Sequence, residues 1–164
     1  MKALFIGGIK SGKSKNAEKY VLELSTVKPT YLATTEFFDD EMSQKVKKHR
    51  ADRGDNFYTL EESLHLNKAL QNQDSIVLVE CISMWINNMM YHGFSENDMI
   101  KQIEDISKLN TEIVFVINDV SCSVVSDNKL VRDFVDINGR ISQLLASKCT
   151  EVYNTVAGIK VKIK

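Results

Sequence analysis

The chain has one proline, three cysteines and one tryptophan in 164 residues, and almost no excess of either charge. Its 21 lysines and arginines face 22 aspartates and glutamates, a formal net charge of −1. Each scarcity removes a class of protein. Balanced charge gives no electrostatic footprint for nucleic acid or an anionic membrane surface, so small molecules are the expected partners. Cys81, Cys122 and Cys149 form an odd, widely spaced set without a C-x-x-C pair. That pattern fits reduced thiols better than a disulfide or zinc framework. Near the N-terminus no apolar run exceeds Ala3 to Ile6, too short for a secretory segment or a membrane span. No repeat, low-complexity tract or linker divides the sequence. The expectation is one soluble, cytoplasmic domain over residues 1–164, large enough to bury a single core without staples.

The N-terminus carries the strongest positive signal. The apolar run Ala3-Leu4-Phe5-Ile6 leads directly into Gly7-Gly8-Ile9-Lys10-Ser11-Gly12-Lys13-Ser14, and a helical pattern follows from Asn16 to Leu22. Strand, then G-x-x-x-x-G-K-S/T, then helix is the context of a phosphate-binding P-loop. Backbone N–H groups in the glycine-rich turn, aimed by the helix N-terminus, surround the phosphates. Lys13 would reach the β and γ groups and Ser14 would hold Mg²⁺. A glycine turn before an ordinary helix is the alternative, but the full motif in its proper setting predicts a bound nucleoside triphosphate.

Further along, apolar runs near 2–6, 30–34, 75–81, 112–118, 150–155 and 159–163 alternate with helical spacing near 13–25, 39–53, 62–71, 84–91, 96–109 and 130–148. Alternation of this kind predicts an α/β fold with a mostly parallel central sheet flanked by helices, here of the P-loop NTPase type. Ile76 to Val79 and Ile113 to Ile117 show no polar alternation, as expected of strands buried on both faces. The stretch Val152 to Ile163 reads as a C-terminal hairpin at a sheet edge, where alternating lysines discourage further pairing.

Two further constellations bear on chemistry. Glu80 closes the second buried apolar run. P-loop proteins place an acidic residue at such a strand end, where it holds the magnesium through water or takes a proton from an attacking hydroxyl. A carboxylate there also serves as a simple helix cap. In Asp39 to Arg53, a helix would put Lys45, His49 and Arg53 on one face. Neighbouring cations would keep the His49 imidazole neutral, with a lone pair available to attack phosphorus and form a phosphoramidate. A solvated basic face is the plainer reading of the same residues. His65 and His92 have no such setting. Aromatic residues are not interleaved with the basic run, so nucleic-acid binding there is not expected.

Taken in order, these residues identify a relationship. Gly7-Gly8 to Lys13-Ser14, Tyr31 to Thr35, Asp40-Glu41-Met42 with His49 and Arg53, and Thr59-Leu60-Glu61 match at fixed spacing. So do Glu80 to Trp85 with Asn87-Asn88, Asn118-Asp119-Val120, Asp136 to Arg140 with Gln143, and Ala157-Gly158-Ile159. The chain resembles, nearly end to end, the adenosylcobinamide kinase/adenosylcobinamide-phosphate guanylyltransferase family. The resemblance implies phosphorylation of the aminopropanol hydroxyl of adenosylcobinamide with ATP or GTP. GMP is then transferred from GTP to that phosphate through a GMP-histidine, for which His49 holds the matching position. It further implies catalytic roles for His49, Lys13 and Glu80, metal binding by Ser14 and Glu80, and a nucleotide site made by Gly7 to Ser14 with Thr34, Thr35, Arg50, Arg53, Glu61 and Glu80. Glu61 aligns with a residue associated with guanine, whose N1 and N2 hydrogens a carboxylate can accept. Its alternative is the first turn of a surface helix. A homotrimer is implied as well.

The chain also departs from the family pattern. Asn118 to Ser126 lacks two glycines and a proline of the family's Asn-Glu-Val-Gly-x-Gly-Ile-Val-Pro, Lys45 replaces an arginine, Gly54 a proline and Phe57 a tryptophan. Nucleotide-facing motifs survive better than substrate-facing ones. The sequence therefore leaves open a P-loop kinase of another small alcohol, and a non-enzymatic nucleotide-binding regulator.

Overall fold

Apolar runs that lack polar alternation need cover on both faces, and this chain supplies it by placing a helix after most strands. A computed structural model describes residues 1–36, 54–121 and 125–164. The helix expected near 39–53, with His49, Arg50 and Arg53, lies outside the described residues. In chain order the elements are β1 (Lys2–Gly7), α1 (Lys13–Leu24), β2 (Thr30–Ala33), β3 (Tyr58–Glu61), α2 (Leu66–Ala69) and β4 (Val77–Glu80). They continue with α3 (Ile82–Tyr91), α4 (Glu96–Ser107), β5 (Ile113–Asn118), α5 (Lys129–Lys148), β6 (Glu151–Val156) and β7 (Ile159–Lys162).

The strands form one sheet in the order β3-β2-β4-β5-β1-β6-β7. Every neighbouring pair is parallel except β6 and β7, which make the expected antiparallel edge hairpin. Side-chain alternation divides the core in two. Leu4, Leu32, Val79 and Phe115 face Trp85, Met89, Ile103 and Ile141 from α3, α4 and α5. Phe5, Tyr31, Leu78 and Val116 face Ala17, Tyr20 and Val21 of α1. The helix α4 starts where its sequence says it should, in a capping box formed by Ser95 and Asp98. No helix among the described residues is long and apolar enough to cross a membrane.

Three local expectations change. Residues 58–61 form a strand where the sequence predicts none, because an edge strand with only Leu60 partly covered has no apolar signature. The helix expected near 62–71 contracts to Leu66–Ala69. Glu62 Oε1 accepts from the N–H groups of Leu64 and His65, both at 2.8 Å, and so makes a turn where the helix would have begun. The helix expected from residue 84 begins at Ile82, directly after β4.

Candidate nucleotide site

In this sheet β1 stands between β5 and β6, so its carboxyl end opens among other strand ends, the usual ligand position in parallel α/β folds. Two glycines shape the loop that follows. A Cβ on Gly7 would lie 2.5 Å from the Thr155 carbonyl oxygen and 2.6 Å from Ser11 Oγ. Gly12, the N-cap of α1, has φ of 94° and supplies no side-chain cap, and the first turn carries no acidic residue. The first N–H groups of α1 are thus left facing outward without a carboxylate or hydroxyl to satisfy them, a setting for an anion. Lys13 is buried, with its Nζ donating to the Gly8 carbonyl at 3.4 Å.

The loop is braced from both sides. On one, the Asp119 N–H donates to the Gly7 carbonyl at 2.9 Å. On the other, the turn of the terminal hairpin seats against it. The Gly158 N–H donates to the Ser11 carbonyl at 2.7 Å, and Asn16 Nδ2 donates to the Gly158 carbonyl at 3.1 Å. Ala157 and Gly158 carry the positive φ values, 50° and 84°, that a tight hairpin turn needs.

Glu80 and Ser14 meet as the sequence predicts. Although β4 is two strands from β1, Glu80 points to the sheet face that α1 covers, and Ser14 Oγ donates to Glu80 Oε1 at 2.8 Å. Thr34 is fully buried and holds the frame beneath them: its Oγ1 donates to the Cys81 carbonyl at 2.8 Å and accepts from the Cys81 N–H at 2.9 Å. Asn88 Nδ2 in turn donates to the Thr34 carbonyl at 2.7 Å. Burial and the adjacent negative charge of Glu80 push the Cys81 thiol up to about 11, so it stays protonated and is no nucleophile at neutral pH.

Beside these groups a cavity of about 430 Å³ is lined by Tyr31, Thr35, Glu80, Ser83, Asn87 and Asn118, among others. A slightly larger hollow of about 480 Å³, with Asn72, Asp74, Asn110 and Glu112, lies at the amino ends of the strands. The smaller cavity is tied to the P-loop through two of its lining residues, Glu80, which bonds Ser14, and Asn118, which pairs with Gly7.

Glu61 closes β3 as a strand residue, which removes its helical alternative. Ala33 pairs with Glu61 on one side and Glu80 on the other, so both carboxylates project from one sheet face about 10 Å apart at ordinary strand spacing. Glu61 stands four strands from β1, about 19 Å by the same spacing. Gly7 to Ser14, Glu80, Thr34 and Thr35 therefore gather at one place, with Glu61 at the far end of the same rim. His49, Arg50 and Arg53 lie outside the described residues.

The sequence suggests no role for Ser83, Asn118 or Asn138, which meet in a hydrogen-bonded cluster at the cavity, with Ser83 and Asn138 buried. The signal for Asn118 was available: it is a polar residue closing an apolar run, as Glu80 is. Among the described residues no group of three or more His, Cys, Asp or Glu side chains is placed to hold a metal ion.

Comparison with known proteins gives the family. The family model described as cobinamide kinase / cobinamide phosphate guanyltransferase matches residues 3–163. The bifunctional adenosylcobalamin biosynthesis protein CobU of Escherichia coli is 32% identical, and its Salmonella typhimurium counterpart 33%, each over the full length of both chains. The bifunctional adenosylcobalamin biosynthesis protein CobP of Pseudomonas aeruginosa is 32% identical, covering all of this chain and 98% of the relative. Among solved structures, the flagellar accessory protein FlaH of Methanocaldococcus jannaschii shares the fold with a TM-score of 0.54 at 13% identity, over 99% of this chain and 77% of that one. A Pyrococcus horikoshii protein does so at 0.55 and 12%, over 99% and 85%. With its P-loop, its Glu80 and the full span of the match, the chain belongs to the cobinamide kinase / cobinamide phosphate guanyltransferase family.

Proposed function

We propose that this chain phosphorylates the aminopropanol hydroxyl of adenosylcobinamide with ATP or GTP in the cytoplasm, then transfers GMP from GTP to the new phosphate through His49. The observation that carries the reading is the bond from Ser14 to Glu80 at the mouth of the P-loop, beside a cavity. In this reading the uncapped N-terminus of α1 and Lys13 bind the phosphates, and most of the rate comes from stabilising charge on the group being transferred. Glu80 accepts the proton of the attacking hydroxyl. Mg²⁺ fits the donor set, since hydroxyl and carboxylate oxygens are hard ligands: Ser14 and Glu80 would hold it, and it would supply positive charge to offset that of the phosphates.

In the second reaction a neutral His49 nitrogen attacks the α phosphorus of GTP and pyrophosphate leaves. A phosphate oxygen of adenosylcobinamide phosphate then displaces the histidine, giving adenosylcobinamide-GDP. Thr34, Thr35, Arg50, Arg53 and Glu61 are assigned to the nucleotide, Glu61 to its guanine.

The test is incubation with Mg²⁺ and GTP labelled at the α phosphate, in parallel with γ-labelled GTP, on wild type and His49→Ala. Acid-labile, base-stable α label on wild type alone supports the GMP-histidine. A wild-type protein that binds GTP yet takes up no α label overturns it.

A further inference from the structure

The end of β5 is held in an unusual way. Glu80, the last residue of β4, pairs with Val116, so β5 continues two residues past its neighbour. On that side the N–H and C=O of Asn118 have no strand to bond. Two side chains take the strand's place. Ser83 Oγ accepts from the Asn118 N–H at 3.0 Å and donates to Asn138 Oδ1 at 2.7 Å, while Asn138 Nδ2 donates to the Asn118 carbonyl at 3.0 Å. The ring is closed, and Ser83 and Asn138 are 4% and 2% exposed. It joins α3, β5 and α5, and fully satisfied polar rings of this kind fix orientation tightly.

What they orient is the Asn118 side chain. Ile117 packs toward α3, α4 and α5, so alternation turns Asn118 to the opposite face, that of Glu80 and α1, where it lines the cavity. Across the adjacent strand Asn118 pairs with Gly7, the first residue of the P-loop motif. Its Nδ2 donates to Cys81 Sγ at 3.7 Å, a weak acceptor that an anionic phosphate oxygen would readily replace. The carboxamide therefore stands between the P-loop and Glu80, carrying a donor for an anion.

We propose that Asn118 donates a hydrogen bond to the γ-phosphoryl group of the bound nucleotide, and that Ser83 and Asn138 are positioning residues acting through it. The inference rests on the P-loop reading above. In the step it serves, the bond from the γ phosphorus to the β–γ bridging oxygen breaks and a bond from the acceptor hydroxyl oxygen forms. The hydroxyl proton passes to Glu80, and the nucleoside diphosphate leaves with the electron pair of the broken bond. Asn118 holds one non-bridging oxygen of the group in flight.

The test is the affinity of a non-hydrolysable GTP analogue relative to GDP, by calorimetry. Variants are Asn118→Ala, Ser83→Ala, Asn138→Ala and the double variant Asn118→Ala/Ser83→Ala, with thermal unfolding run alongside. Loss of a hydrogen bond to a charged group is expected to lower the triphosphate preference about tenfold or more in Asn118→Ala. Ser83→Ala and Asn138→Ala should move it in the same direction by about three- to tenfold, since they loosen the donor without removing it. In the Asn118→Ala background Ser83→Ala should change the preference less than about twofold, because its route is gone. Phosphoryl transfer to adenosylcobinamide should show the loss in kcat, with the acceptor KM unchanged. A purely structural ring would lower the melting temperature in both backgrounds and leave the preference intact. An Asn118→Ala protein that keeps its triphosphate preference overturns the inference alone, whereas a wild-type chain that binds neither nucleotide overturns the P-loop reading and this inference with it.

Discussion

Gly7→Ala is the sharpest perturbation of the site. The new methyl would stand 2.5 Å from the Thr155 carbonyl oxygen, where ordinary contact begins near 3.4 Å, and 2.6 Å from Ser11 Oγ. The serine can rotate away. The carbonyl belongs to β6, which pairs with β1 along its length, so the two strands must part by nearly the difference of the distances, about 0.9 Å, or Gly7 must move outward. Overpacking of this size costs about 1–3 kcal/mol. At roughly 2–4 °C per kcal/mol for a domain of this length, the melting temperature should fall by about 4–8 °C for a central cost near 2 kcal/mol. Gly8→Ala is the control, since a Cβ there meets nothing within 4 Å. Its ligand-free melting temperature should stay within about 2 °C of wild type, as for other substitutions in open space. A phosphoryl-transfer assay gives the functional half: a loop displaced by close to an ångström should lose about 100-fold in rate in Gly7→Ala. Equal melting temperatures for the two variants would refute the reasoning.

Two further outcomes follow from other contacts. Hydrogen bonds from Lys162, Tyr20 and Tyr153 lower the Glu151 carboxyl to about 2, below its ordinary value of 4.5. This stabilisation is fully present above pH 4.5 and is lost as pH falls toward 2, so Glu151→Gln should flatten the acid limb of the stability profile between those values, followed by urea unfolding. Asn16→Ala removes the bond to the Gly158 carbonyl, an exposed contact worth at most about 1 kcal/mol of stability. GTP affinity should nonetheless fall several-fold, about three- to fivefold by calorimetry, because that energy acts on the P-loop. Unchanged affinity would mean that the hairpin does not shape the loop.

What could be read from the chain depended on how local the signal was. The P-loop is contiguous, and Glu80 stands out because a P-loop upstream gives a carboxylate at a buried strand end a meaning beyond that of a helix cap. The buried strands β4 and β5 announced themselves by lacking alternation. By contrast β3 exists through pairing with β2, and its exposed Tyr58, Thr59 and Glu61 say nothing of a strand. The ring of Ser83, Asn118 and Asn138 was illegible for another reason. Its bonds span 20 to 55 residues, and only the sheet order brings the three together. Distant partners of this kind leave no spacing to recognise.

The bond from Gly158 to Ser11 has a consequence for how the protein is made. The phosphate loop leaves the ribosome well ahead of its support, since the amide that fixes its Ser11 carbonyl is 147 residues behind it in sequence. A nascent chain thus carries the nucleotide motif long before it holds the motif's brace, and GTP offered during synthesis would find a loop not yet shaped to receive it. In the finished protein the same tie runs in reverse. A nucleotide that favours the braced loop must also favour the docked hairpin, so the amide protons of β6 and β7 should exchange more slowly when the distant phosphates are bound.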